Sequence, residues 1–243
     1  MRGILSVYRR EVKSYFATPV AYVFLVIFLF FSAFLAFQDG FFESRQASLR
    51  AFFSNMPLLF LFFVPAIAMR LWAEERRSHS IEFLFTLPLT TPQAVLGKFL
   101  AAWTVLALAL ALTVPMAFTV AYLGDPDWGP IATGYFGCLL MAGAYLAIGS
   151  FFSSVTRNQV IAFILAVVAC GAFLSAGSPT ATDFVARTLG GGLAEAVEVL
   201  SLQSRFESIQ RGILELRDLA FFVLLTAGWI WANIVVLEER KAA

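Results

Sequence analysis

Charged residues are scarce in this chain of 243 residues. They make up 14% of it, whereas roughly a quarter is usual for a soluble domain. The 17 Lys and Arg residues nearly balance the 16 Asp and Glu residues, which leaves a formal net charge of +1. A nearly neutral chain lacks the basic field that attracts a nucleic-acid backbone. We therefore expect no nucleic-acid partner.

The residues that most often carry chemistry are also few. His79 is the single histidine, and it lies outside the long apolar runs. This placement argues against a Ser–His intramembrane protease, and no His-Glu-x-x-His sequence indicates a zinc protease. Cys138 and Cys170 have no metal or disulfide spacing, so we expect two buried free thiols. We predict no catalytic, cofactor-binding or metal-binding residues in this chain, and no enzymatic activity.

A nucleotide-binding loop is missing as well. Gly97-Lys98 has the dipeptide of a phosphate-binding loop, but Pro92 stands at the position of its first glycine and Phe99 at that of its Ser or Thr. The predicted spans also carry no ionisable residue in their cores, which disfavours an ion-coupled carrier. Asn233, an amide within the last span, is expected to form an interhelical hydrogen bond. We infer that energy for transport comes from another protein.

Long uncharged runs are abundant. The chain is 60% apolar, with a mean hydropathy of +0.82. Because about 20 apolar residues are needed to cross a bilayer as a helix, six runs are long enough, and no period-2 alternation indicates a barrel. We predict an all-α membrane protein with six transmembrane helices in a single domain, 1–243. The predicted spans are 20–38, 51–71, 99–124, 130–156, 158–180 and 218–237.

The Lys and Arg bias predicts the orientation of these spans. With the N-terminus inside, eleven of the 17 Lys and Arg residues lie on the cytoplasmic side. Residues 1–18 then form an interfacial amphipathic helix, with a break at Thr18-Pro19. The segment 72–98 is cytoplasmic, and 183–217 is an extracytoplasmic loop with a short helical segment. We predict a multi-pass protein of a bacterial inner membrane with both termini in the cytoplasm.

The cytoplasmic segment 72–98 has the densest cluster of charges. We predict a helix over 72–87 that ends at Pro88, followed by a helix with Thr91 as N-cap and Pro92 as its first residue. Such a helix–turn–helix could transmit a push from a cytoplasmic motor. A solvated loop is the alternative interpretation of the charges. The candidate contacts are Glu74, Glu75, Arg76, Arg77, Glu82 and, in a second short turn, Arg157.

The sequence from Glu74 to Lys98 resembles the cytoplasmic coupling segment of type-2 ABC exporter permeases. The shared features are a Glu seven residues before a second one, here Glu75 and Glu82, then an apolar stretch, a Pro-Leu turn, and Gly-Lys before the third span. Ser78-His-Ser80 replaces the small residues and glycine that are common in that family. Ser201–Asp218, with its Phe-Glu-Ser-x-x-Arg-Gly pattern, is similar to the gliding-motility (Gld F-like) type of permease subunit.

The resemblance implies an assembly. Such permeases pair as dimers, either with a second copy or with a related membrane subunit, and two cytoplasmic ABC ATPase subunits dock below them. ATP and Mg would be bound by those ATPase subunits and by no residue of this chain. In the gliding-motility type, a companion protein with an extracytoplasmic domain is usual. The lipid bilayer is the remaining partner.

A second candidate surface precedes the last span. Phe206, Ile209, Ile213 and Leu216 recur at three- and four-residue steps and predict one apolar stripe on a helix over 205–218. We expect this stripe and Arg211 to form an extracytoplasmic interface with a partner. The alternative is that these residues are the solvated first turns of the last span.

The predicted function is therefore the permease subunit of an ATP-driven ABC exporter. It would couple ATP hydrolysis by a separate cytoplasmic ATPase to substrate movement across the inner membrane. The alternative is a membrane scaffold, or mechanotransmission subunit, that the same ATPase moves but that carries no cargo itself.

Overall fold

The computed structural model describes residues 2–38, 48–78, 89–189, 192 and 197–242, and these residues contain no β-strand. Eleven helices account for most of them. Their bounds are α1 Arg2–Ala17, α2 Pro19–Gln38, α3 Arg50–Ala68, α4 Arg70–Arg77, α5 Thr91–Ala111, α6 Val114–Leu123, α7 Trp128–Val155, α8 Gln159–Ser175, α9 Pro179–Leu189, α10 Leu202–Gln210 and α11 Leu216–Ala242.

Five helical stretches in the described residues are long and apolar enough to cross a membrane. They are α2, α3 with α4, α5 with α6, α7, and α11 up to Arg240. A sixth candidate is the pair α8 and α9, which bends by 88° at the break after Ser175. The break falls before Pro179, whose ring cannot continue the hydrogen-bonding pattern of α8. The predicted all-α membrane protein is confirmed.

Helix α7 lies at the centre of the described fold. It packs against α3, α5, α8, α10 and α11, and small residues permit close approach of its neighbours. At Gly134 a Cβ would come within 2.6 Å of the Phe53 ring, and at Gly149 within 2.5 Å of Ala68 Cβ. Apolar side chains gain little by leaving lipid, so close packing against small residues is what holds membrane helices together.

Helix α1 ends at Ala17 and α2 begins at Pro19, in agreement with the break expected at Thr18-Pro19. Helix α1 packs along α5, a contact that was not predicted. The contact depends on Gly97, where a Cβ would lie 2.7 Å from the Cβ of Val7. Val7 is accordingly buried. The apolar face of α1 therefore covers protein at this position, in addition to any lipid that it contacts.

The start of α5 differs by one residue from the prediction. The N-cap is Thr90, with extended backbone angles of φ −81° and ψ 150°, and Thr91 is already helical. The reason is Gln93, whose side-chain oxygen accepts a hydrogen bond from the Thr90 N–H at 3.4 Å. Thr90 and Gln93 together form a capping box. Thr90 is therefore the N-cap, and Pro92 is the second helical residue.

The two cysteines are free and buried, which confirms their prediction. Asn233 also forms the interhelical hydrogen bond expected of it, because its Nδ2 donates to Ser150 Oγ at 2.6 Å. This bond joins α11 to α7.

We predict that Gly149→Ala destabilises the protein, because the added methyl group would collide with Ala68 on α3. Overpacking of this kind typically costs about 1–3 kcal/mol. Gly228→Ala on α11 is the matched control, since a Cβ there meets no atom within 4 Å. Thermal unfolding in detergent is the measurement. Equal melting temperatures for the two variants would contradict the assigned contact between α3 and α7.

Candidate functional site

Four charged side chains from three helices meet in what we call the Lys98 cluster: Arg10, Glu11, Glu75 and Lys98. The Lys98 Nζ donates to Glu75 Oε1 at 2.8 Å and to Glu11 Oε1 at 3.1 Å. The Arg10 Nη2 lies 2.8 Å from the same Glu11 oxygen and 3.7 Å from Glu75 Oε1. The cluster therefore joins α1, α4 and α5 through one ammonium group.

Lys98 is the central member because it is almost fully buried, with 3% of its side chain exposed. It lies about two turns after the start of α5, and its ammonium group stands 5.4 Å from the centre of the Trp72 ring. A buried ammonium is stable only with partners close by. Burial opposes the ionisation of Glu11, but Lys98 and Arg10 outweigh it and hold the pKa of that carboxyl below its ordinary value.

A second, uncharged network fixes α4 to the centre of the fold. The Ser153 Oγ on α7 accepts hydrogen bonds from the N–H groups of Trp72 and Ala73, each at 3.0 Å, and donates to the Met69 carbonyl at 2.8 Å. These contacts engage three backbone groups at the junction of α3 and α4. The junction is therefore hydrogen-bonded inside the protein.

The Trp72 indole extends this network to α11. Its Nε1 donates to Ser150 Oγ at 3.2 Å, and Ser150 also accepts from Asn233. All three side chains are buried. These hydrogen bonds therefore connect α4 to α7 and α11. Because they are buried, breaking them would cost free energy.

The predicted coupling residues on α4 divide between outward and inward positions. Glu74 is half-exposed and accepts two bonds from the Arg70 guanidinium, at 2.8 and 3.1 Å. Arg77 is exposed. Glu75 points inward to the Lys98 cluster and has 18% of its side chain exposed. Glu82 lies outside the described residues.

Two of the predicted basic residues, Arg76 and Arg157, lie near one another and near Arg240, which was not predicted to belong to the site. Arg76 is half-buried, and its Nε has no hydrogen-bond partner. Arg157, in the turn between α7 and α8, and Arg240, near the end of α11, are exposed and close enough to act on the Arg76 guanidinium electrostatically. We call these three residues the arginine face. It belongs to the same end of the helices as α4.

The predicted apolar stripe over Phe206–Leu216 is not formed. Helix α10 ends at Gln210, and Gly212 has a φ of +89°, a conformation that interrupts the helix before α11. Phe206 and Ile209 are buried against Gly137 of α7. They therefore pack inside this chain and are not free for a partner.

The remaining residues of that prediction face outward. Ile213 has an exposure of 54%, and Arg211 pairs with Glu207 at 3.7 Å on an exposed surface. A buried ion pair that the prediction missed lies close by. In it, Arg205 Nη1 binds Asp218 Oδ1 at 3.0 Å. This pair attaches α10 to the first turn of α11.

The Lys98 cluster was missed at the sequence level, although its signals are present. Lys98 is the one charge in the stretch from Thr91 to Ala111, and Glu11 is the one acidic residue of α1. Each looks like a membrane-boundary charge when taken alone. Their pairing depends on how α1 packs along α5, and local sequence patterns do not predict that packing.

We predict that Lys98→Met destabilises the protein strongly. Its loss leaves two largely buried carboxylates side by side, and removal of one partner from a buried ion pair costs about 3–5 kcal/mol. Thermal unfolding in detergent at neutral pH measures this.

Lys13→Met is the matched control, because Lys13 is an exposed lysine of α1. The triple variant Glu11→Gln, Glu75→Gln, Lys98→Met should recover most of the loss, since it removes the buried charges together. If Lys98→Met and Lys13→Met have the same melting temperature, the Lys98 cluster does not stabilise the fold.

Residues 36–236 match the family described as ABC-2 family transporter protein. No curated protein matches the chain. The match includes α3 to α10 and most of α11, with α4, Arg157 and Lys98 inside it, whereas Arg240 lies beyond its end. The matched stretch covers well over half of the sequence, so this chain belongs to the ABC-2 family of transporter proteins.

Proposed function

We propose that this chain is the permease subunit of an ATP-driven exporter in a bacterial inner membrane. It would couple ATP hydrolysis by a separate cytoplasmic ABC ATPase to movement of a substrate across the bilayer. The family supports a membrane subunit of an ABC transporter. The observation that carries the finer proposal is the attachment of α4, a charged extension of a spanning helix, to α7 and α11 through Ser153 and Trp72.

The docking surface for the ATPase would combine α4 with the arginine face. Glu74 and Arg77 are accessible on α4, and Arg157 is accessible in the turn after α7. They offer charges of both signs on helices that meet at one end of the fold. Complementary charges across an interface provide specificity and accelerate association.

Force would pass from this surface into the spans by a short route. Closure of an ATPase dimer would displace α4, and the Ser153 bonds would carry that displacement to α7. Trp72, Ser150 and Asn233 would carry it further to α11. On the other side, Glu75 would carry it through Lys98 to α1 and α5. Glu75 therefore acts inside the permease in this proposal, and does not contact the ATPase.

The assembly would contain two permease copies, or this chain with a related membrane subunit. Closed dimers are the commonest arrangement among soluble oligomers, and the ABC-2 family is consistent with a second permease copy. A companion with an extracytoplasmic domain, as in the gliding-motility type, would meet the surface that bears Arg211 and Ile213. Both side chains are exposed there.

We predict that Arg157→Glu weakens association with the ATPase without unfolding the permease. Reversal of one charge in an interface replaces attraction by repulsion and costs about 2 kcal/mol or more. Co-purification of the ATPase and permease-stimulated ATP hydrolysis should both fall. Arg157 is exposed, so the melting temperature of the permease should not change.

Arg217→Glu is the matched control, because Arg217 is an exposed arginine at the opposite end of α11. It should retain the ATPase. An Arg157→Glu variant that binds and stimulates the ATPase like Arg217→Glu would remove the arginine face from the docking surface.

The proposed orientation has its own test in intact spheroplasts. Cysteines are placed singly at Asp125 and Ala242 in a background that lacks Cys138 and Cys170. A membrane-impermeant thiol reagent should label position 125, which is exposed between α6 and α7, and should leave position 242 unlabelled. The opposite pattern would place α4 and the arginine face outside the cell and exclude a cytoplasmic ATPase as their partner.

A further inference from the structure

A large cavity adjoins the Lys98 cluster. It has a volume of 1110 Å³ and lies among α1, α2, α3, α4, α5 and α8. This volume is slightly larger than that of most ligand pockets, which is roughly 300–1,000 Å³. Its lining divides into a charged end and an apolar remainder.

The charged end contains three basic and three acidic residues. They are Arg10, Glu11, Arg70, Glu74, Glu75 and Lys98. They lie together because helix α4, the N-terminal part of α5 and helix α1 meet at the Lys98 cluster. Gln159, at the start of α8, also lines this end.

The apolar remainder extends from this end along the spans. Its walls come mainly from α2 and α3, with α8 opposite, and its large side chains are Val20, Phe24, Ile27, Phe62, Phe63 and Phe163. From Val20 to Ile27 the wall of α2 is roughly 10 Å long, at 1.5 Å per residue. A molecule that fills the cavity must therefore be polar at one end and apolar over the rest.

The charge balance selects the polar group. The three cations and three anions of the lining sum to zero, so a ligand with a net charge would leave that charge without a partner of opposite sign in the lining. A zwitterion with one anionic and one cationic group leaves the balance unchanged. Phosphate with ammonium is such a head group, since arginine binds phosphate oxygens bidentately.

The side chains differ in their freedom to receive a head group. Lys98 is occupied by two carboxylates and is buried. Arg70 and Glu74 pair with one another but keep 30% and 47% of their side chains exposed. Arg10 is 52% exposed. Exposed pairs rearrange at little cost, about 0–1 kcal/mol, so Arg70, Glu74 and Arg10 are the groups that can turn to a ligand.

We propose that this cavity binds a zwitterionic glycerophospholipid of the surrounding membrane, of the phosphoethanolamine class. Its phosphate binds Arg70 and Arg10, its ammonium group binds Glu74, and an acyl chain lies along the apolar walls of α2 and α3. The bilayer supplies this ligand at high local concentration, and a helical membrane protein exposes its cavities to it. Because the chain alone forms the site, binding does not depend on the ATPase.

Native mass spectrometry of the purified full chain in detergent tests the proposal. The chain is titrated with phosphatidylethanolamine and, separately, with phosphatidylglycerol of identical acyl chains. One molecule of phosphatidylethanolamine should bind several-fold more tightly than phosphatidylglycerol. Equal retention of both lipids would overturn the charge-balance argument and leave only non-selective annular lipid.

Four variants locate the site. Ala66→Trp places a large ring on the α3 wall of the cavity and should abolish the selective binding. Glu74→Gln gives the charged end a net positive charge and should raise the ratio of phosphatidylglycerol to phosphatidylethanolamine bound. Arg70→Gln should lower it.

Arg211→Gln is the matched control, because Arg211 belongs to another exposed ion pair between residues four apart. It should bind both lipids as the unmodified chain does. Melting temperatures establish that each variant is folded. Should Ala66→Trp be folded and keep selective binding, the lipid lies elsewhere.

A dimer that carries no lipid and becomes monomeric in Ala66→Trp would also overturn the proposal, and would assign this face to a second copy of the chain. A shift of the lipid ratio in the same direction for Glu74→Gln and Arg70→Gln would show that the head group does not bind at this pair. Since none of these measurements involves ATP, their failure would leave the proposed coupling function standing.

Discussion

A buried ammonium group sets the arrangement of the charged end of this protein. Lys98 lies inside α5 with 3% of its side chain exposed, where an unpaired charge would be unstable by several kcal/mol. It therefore requires carboxylates at contact distance, and α5 provides none. Glu11 must come from α1 and Glu75 from α4. One electrostatic requirement thus determines where the N-terminal helix and the extension of α3 can lie.

The second constraint is close packing around α7. Gly134, Gly137 and Gly149 each receive a neighbour at a distance that leaves no room for a methyl group. These contacts bring α3 and α10 onto the central helix, and the Ser153 bonds then hold α4 in one direction. The charged end and the packed centre are consequently parts of one connected structure. Hydrogen bonds and ion pairs thus connect α4 to α1, α5, α7 and α11.

This connection gives the paired acidic residues of α4 different roles. Glu74 faces outward with Arg70, whereas Glu75 faces inward with Lys98. Adjacent residues of a helix are separated by about 100° around its axis, so a charge pair in sequence seldom acts as a unit. In the proposed function, the outward face serves the partner and the lipid head group, and the inward face transmits the movement.

The sequence by itself determined the class of the protein. Its uncharged runs required membrane-crossing helices, because lipid offers no partner to an unpaired backbone group, and the motif from Glu74 to Lys98 indicated the permease family. Local signals also predicted the break at Thr18-Pro19, the buried thiols and the bond made by Asn233. The cap of α5 was displaced by one residue, because Thr90 and Thr91 are chemically equivalent caps and only the Gln93 contact distinguishes them.

Only the tertiary structure decided which charges are partners and which apolar residues are core. Glu11 and Lys98 are 87 positions apart, and their contact depends on Val7 meeting Gly97 between two helices. Phe206 and Ile209 share a helical face with Ile213 in sequence, but the turn at Gly212 ends that face, and α7 covers the first two. Periodicity reports which residues share a side of a helix. It does not report what lies against that side, because packing between distant helices is set by shape and charge that only the folded chain brings together.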